Sequence, residues 1–126
     1  MRTIGLVFGL LAAAPASAAT PAEILRGFEA PGLASFSAQR GERFFKVTHG
    51  GDWSCASCHT ENPVGQGRHA KTGKDIAPLA PGANPQRFTD AARVEKWFRR
   101  NCNDVLGRAC TAQEKGDVLA YLMSLR

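Results

Sequence analysis

The chain has 126 residues, 44% apolar and 21% charged, an ordinary globular composition for one small domain that excludes fibrous and wholly disordered classes. Sixteen Lys and Arg against eleven Asp and Glu give a formal charge of +5. The cations form no block interleaved with aromatics, so nucleic acid is not an expected partner.

Residues 1–18 read as a secretory leader. Arg2 is its positive end, Ile4 to Ala14 its short apolar stretch, and Ala16-Ser17-Ala18 a small-residue cleavage site. Without it, 108 residues remain, and loss of Arg2 leaves a charge of +4. Export to the periplasm is therefore expected, which would put Cys55, Cys58, Cys102 and Cys110 in an oxidising compartment. A chain this short needs a staple or a cofactor, because its own core buries too little surface.

The first predicted helix follows Thr20-Pro21-Ala22-Glu23. Thr20 caps, Pro21 suits the first helical position, and Glu23 completes a capping box. Ile24, Leu25 and Phe28 give its apolar face, and Pro31-Gly32 ends it. A second helix is predicted over 37–47, with Phe44, Phe45 and Val47 as its apolar side. Gly41 lies on the same face as Phe45, and a glycine inside a helix suggests close passage of another backbone.

A turn at His49-Gly50-Gly51-Asp52 leads to Cys55-Ala56-Ser57-Cys58-His59. Residues 61–84 are rich in Gly and Pro and predict a long irregular loop, a length that usually serves a ligand. Thr89 or Asp90 caps a third predicted helix that ends near Arg100, with Val94, Trp97 and Phe98 facing inward. Residues 101–109 form a predicted connection. A capping box at Thr111-Ala112-Gln113-Glu114 opens the last helix, which carries Val118, Leu119, Tyr121, Leu122 and Leu125.

Cys55-x-x-Cys58-His59 is the attachment pattern of a c-type haem. Two thiols three residues apart lie about one helical turn from each other, so each adds to a different vinyl group of one porphyrin. His59 follows directly and supplies a proximal imidazole. A zinc site would need a second pair at matching distance, which Cys102 and Cys110 do not provide. A thioredoxin-like redox pair would need a βαβ context, and this chain reads as helical throughout.

Gly41 and Phe45, together with Asp117-Val118-Leu119-Ala120-Tyr121-Leu122, resemble the class I cytochrome c fold, in which the first and last helices cross at a glycine. The expected architecture is therefore all-α, with four to five helices around one covalently bound haem c and residues 19–126 as a single domain. Methionine, the usual second ligand of that class, is scarce: Met1 leaves with the leader and Met123 lies in the last helix. His49, His69, Lys71, Lys74, Asn101 and Asn103 remain as candidates for the second face.

Three further stretches are more specific. They are Lys71-Thr72-Gly73-Lys74-Asp75-Ile76-Ala77-Pro78-Leu79-Ala80-Pro81, then Arg87-Phe88-Thr89-Asp90 with Ala92-Arg93-Val94-Glu95-Lys96-Trp97, and Arg100-Asn101-Cys102-Asn103. They resemble the sphaeroides haem proteins, a family of monohaem class I cytochromes c. The resemblance implies that Asn101 ligates the oxidised haem and that Cys102 and Cys110 form a disulfide. It also implies release of the asparagine on reduction, which opens a site for O2, NO or CO. Implied electron partners are a dihaem cytochrome c and a membrane cytochrome b. Trp97, Phe98 and Phe88 are expected pocket walls, and Arg99 and Arg100 are candidates to meet propionates. The alternative is a simple electron carrier with His69 or another residue as sixth ligand. A monomer that carries electrons and binds haem ligands, rather than a dedicated enzyme, is expected.

Overall fold

The computed structural model describes residues 12–126; most of the leader's apolar stretch, at 1–11, lies outside the described residues. Among the described residues, five helices occur in chain order: α1 (Pro21–Gly27), α2 (Ala38–Lys46), α3 (Cys55–His59), α4 (Ala91–Leu106) and α5 (Ala112–Ser124). The all-α expectation holds. Two two-residue strands, β1 (Gly67–Arg68) and β2 (Asp75–Ile76), pair antiparallel within the segment predicted as irregular loop. That is a correction: the turn between them folds back as a small hairpin, too short to leave a period-2 pattern.

The capping boxes form as read. Thr20 Oγ1 accepts from Glu23 N–H and the Glu23 carboxylate accepts from Thr20 N–H; Thr111 and Glu114 repeat this at α5. The α4 prediction needs a larger correction. The helix runs past Arg100 to Leu106, and Gly107 ends it in the left-handed conformation at φ 70°. Its apolar face continues through Phe98, Cys102 and Leu106 at helical spacing, so tertiary packing carries the chain through the polar Asn101-x-Asn103 pair. Asn101 is thus a residue of the helix, not of a connection.

The core has two parts. Phe45, Ala56, Val118, Tyr121 and Leu122 form one, and Ile24, Phe28, Val94 and Leu119 the other. Leu119, with no exposed surface, sits where α5 serves both. Phe88 and Phe98 are half-buried and pack against both parts. Trp97 departs from its expected inward role, because 44% of it is exposed.

Helices α2 and α5 cross at Gly41. A Cβ there would collide with the Asp117 carbonyl and lie 2.9 Å from Val118 N. A polar clasp closes the crossing: Asp117 accepts from Ser37 N–H at 2.7 Å and from Arg40 Nε and Nη2, both at 2.8 Å. Burial works against ionisation of Asp117, but the Arg40 guanidinium and the Ser37 N–H overcome it and hold the carboxyl below its usual range. A depressed carboxylate contributes stability above its unfolded value and loses it as pH falls through the folded value. Asp117→Asn should therefore cost about 2 kcal/mol at pH 7. The gap to the parent protein should close as pH falls below the ordinary value near 3.8, measured by urea unfolding across pH.

Candidate functional site

The short helix α3 is built by its own sequence. Ser54 Oγ accepts from Ser57 N–H at 3.2 Å, and Ser57 Oγ accepts from Ser54 N–H at 2.9 Å, a reciprocal cap with serine in both roles. Thr60, at φ 71°, stops the helix directly after His59. The pattern Ser54-x-x-Ser57 was available in the sequence as a helix-start signal that the thiol spacing overshadowed. Cys55 and Cys58 therefore stand one turn apart, with His59 next in line.

The hairpin backs this motif. A Cβ at Gly67 would strike the Cys58 carbonyl and lie 3.1 Å from His59 Cα. Ala70 N–H points at Cys58 Sγ at 3.3 Å. Phe45 links the motif to the helix crossing, with its ring centroid 6.3 Å from that of His59 and 5.6 Å from that of Tyr121.

The electrostatics suit a ligand site. Burial first, then the Arg87 charge and the neighbouring His69, push His59 down to about 4. The imidazole is thus neutral at physiological pH, the form that ligates a metal. His59 Nδ1 is buried and lacks a hydrogen-bond partner among the described residues. Burial pushes the Cys55 thiol up to about 11. Cys55 packed against the first core cluster, a neutral half-buried imidazole with its Nδ1 enclosed and a backbone cradle at Gly67 fit a covalently attached haem and would suit a solvated metal ion poorly.

The role of Arg87 comes from partners that carry no sequence signal. Its Nε donates to Pro78 O at 3.0 Å and its Nη2 to Ala77 O at 2.8 Å, while Asn84 Nδ2 also donates to Pro78 O at 3.2 Å. It therefore pins the segment after the hairpin beside His59.

The other candidates are dispersed. His49 Nε2 lies 2.8 Å from the Phe44 carbonyl oxygen, and its ring packs on Phe44 with centroids 4.3 Å apart. His69 sits in the turn that follows β1, where Nδ1 accepts from Lys71 N–H and Thr72 N–H at 3.2 and 3.1 Å. Lys71, Lys74 and Asn103 are exposed. Met123 is half-buried against the second core cluster. Asn101 is exposed on α4, one turn beyond Trp97. Its neighbour Cys102 is buried and joined by a disulfide to Cys110, with Cα atoms 5.7 Å apart. The bond ties the end of α4 to the start of α5. A loop this short contributes about 2–3 kcal/mol by chain entropy.

The family described as a domain of unknown function, DUF1924, matches residues 31–122. The chain is 47% identical over 123 residues to the cytochrome c-type protein SHP of Cereibacter sphaeroides, covering 93% of this chain and 95% of that protein. A solved structure of oxidised SHP, described as an oxygen-binding cytochrome c, superposes with a TM-score of 0.78 at 48% identity, over 85% of this chain and 98% of that one. The solution structure of cytochrome c'' from Methylophilus methylotrophus, described as giving insight into haem-ligand detachment, has a TM-score of 0.69 at 38% identity, over 82% and 92%. The class I fold and the family resemblance read from the residues are thereby supported. The chain belongs to the DUF1924 family and is a c-type cytochrome related to SHP, with one covalently bound haem c as its cofactor.

Proposed function

We propose that this protein is an exported electron-transfer cytochrome that binds a small diatomic molecule such as O2, NO or CO when reduced. Cys55 and Cys58 hold the haem as thioethers, His59 is the proximal ligand, and Asn101 is the second ligand of the oxidised state. The bound haem supplies the one-electron couple and the iron on which a small ligand sits.

The observation that carries the reading is the combination at α3: two thiols one turn apart and a neutral, half-buried imidazole with its Nδ1 enclosed on one capped helix. The choice of Asn101 rests on the family resemblance and on ligand chemistry. Met123 is taken up by core packing, His49 by the end of α2, and His69 Nδ1 by its own turn. A carboxamide oxygen is a neutral, hard and weak donor, which matches ferric iron better than ferrous. Asn101 therefore holds the oxidised site closed and yields it on reduction. Ligand detachment in cytochrome c'' and oxygen binding by SHP support the same behaviour here. The disulfide at Cys102 restrains the backbone next to the ligand, so the change is confined to the Asn101 side chain. Residues 1–18 direct the chain to the periplasm, where it works as a monomer. Its electron donors are other cytochromes, of the dihaem c and membrane b types.

Asn101→Ala tests the assignment. The ferric visible spectrum should change to a five-coordinate or water-bound type, with the haem still covalently attached. An unchanged ferric spectrum would mean that another residue occupies the position.

A further inference from the structure

Tyr121 is the single tyrosine of the chain. Its ring packs with Phe45, Val118 and Leu122 in the first core cluster, and only 4% of the residue is exposed. A phenylalanine would bury the same ring without desolvating a hydroxyl. The hydrogen bond that ties Tyr121 to Ser124 uses the backbone carbonyl, which accepts from Ser124 Oγ. Tyr121 Oη has no protein partner among the described residues, yet it is not enclosed, since His59 Nδ1 is the one side-chain nitrogen or oxygen there that is both enclosed and unpartnered. The hydroxyl therefore emerges at the surface, and helix packing does not account for it. The rim around it is charged: Lys46 Nζ lies 2.8 Å from a Glu42 carboxylate oxygen and 4.0 Å from one of Glu61. Burial holds the phenol above its usual range; Lys46 opposes this, and Glu42 and Glu61 add to it. A proton that leaves Oη has carboxylates and water to receive it.

Inward, the same ring leads to His59. Phe45 is almost wholly buried, with its ring centroid 5.6 Å from that of Tyr121 and 6.3 Å from that of His59. Both separations are those of packed aromatic pairs. A phenyl ring is hard to oxidise and a phenol much easier, so Phe45 passes an electron without keeping the oxidising equivalent. Trp53 and Trp97, the chain's two indoles, make no ring contact with Phe45 or His59 among the described residues.

We propose that Tyr121 returns an electron to the haem group, by way of Phe45, when hydrogen peroxide oxidises that group. Peroxide takes two electrons and two protons and leaves as two waters. Tyr121 gives back one electron through Phe45 and releases its phenolic proton at the rim of Glu42, Lys46 and Glu61, which leaves a neutral tyrosyl radical. One oxidising equivalent stays with the haem group. The radical then lies at the surface, within reach of a soluble one-electron reductant, and not at His59. The proposal rests on the reading of His59 as the proximal ligand.

The test mixes ferric holoprotein with hydrogen peroxide, freezes it rapidly and records the electron paramagnetic resonance spectrum. The parent should show an organic radical signal that narrows when the protein is grown with ring-deuterated tyrosine, a label that reports Tyr121 alone. Tyr121→Phe keeps the packing and should abolish the signal, with the ferric spectrum and CO uptake by the reduced protein unchanged. Peroxide should also bleach the haem of this variant faster than that of the parent. Phe45→Leu, with its fold checked by far-UV circular dichroism, should delay the radical. A signal that ignores the deuterium label or survives Tyr121→Phe would put the oxidising equivalent on an indole and overturn the proposal. So would a parent that forms no organic radical, and a folded Phe45→Leu protein whose radical is not delayed would overturn the route. A parent ferric spectrum without an imidazole ligand would instead end the reading of His59 on which the proposal rests.

Discussion

Gly41→Val should strongly destabilise the folded protein. The residue has ordinary helical neighbours, so the cost comes from across the interface, where any Cβ meets the Asp117 carbonyl and the Val118 N–H. Both are backbone atoms of α5 and cannot rotate away. Relief requires α2 and α5 to separate, which breaks the Asp117 clasp and opens the cluster around Phe45, Val118, Tyr121 and Leu122. Overpacking of this kind costs about 3 kcal/mol. In a domain of this size that is a fall in Tm of about 15 °C or more. Gly27 serves as the control, because nothing lies within 4 Å of a Cβ placed there and Gly27→Ala should leave Tm within a few degrees. Thermal unfolding of the holoprotein, followed by far-UV circular dichroism, measures both. A Gly41→Val protein that melts like its parent would show that the helices do not cross in this way.

The features that could be read in advance are those whose physics is local or nearly so. The capping boxes at Thr20 and Thr111 state a helix start within four residues. Gly41 was legible because a glycine amid Phe44 and Phe45 has no local justification and so announces a neighbour. Cys55, Cys58 and His59 were legible because one helical turn contains the whole pattern. The end of α4 was misread because Asn101 and Asn103 look like stop signals locally. The deciding facts were the continued apolar face through Cys102 and Leu106 and the left-handed Gly107 beyond it. The hairpin at 67–76 was invisible, since strands of two residues carry no period and its packing of Gly67 against the Cys58 backbone is a tertiary contact. The role of Arg87 was hidden for a different reason: its partners are the backbone carbonyls of Ala77 and Pro78, and carbonyls have no sequence signature. Asn101 itself came from family resemblance, because composition and spacing alone left six side chains open.

Asn101→His should abolish the redox dependence of the site. Imidazole is a stronger donor than a carboxamide and binds both ferric and ferrous iron. The helix that carries residue 101 is held by the buried Cys102 and its disulfide to Cys110, so the backbone offers the new side chain from the same place. In contrast to the opening on reduction proposed for the parent, the variant should stay closed. About 3 kcal/mol of extra bond strength in the ferrous state would slow uptake of an external ligand about a hundredfold. Covalent attachment at Cys55 and Cys58 should be unaffected, and haem staining after denaturing electrophoresis checks it.

The visible spectrum of the dithionite-reduced holoprotein, recorded with and without CO, puts the account at greatest risk. The parent protein should lose its sixth protein ligand on reduction and form a CO complex within the mixing time, while Asn101→His resists. A reduced parent that remains six-coordinate and ignores CO would contradict the labile carboxamide and leave a plain electron carrier.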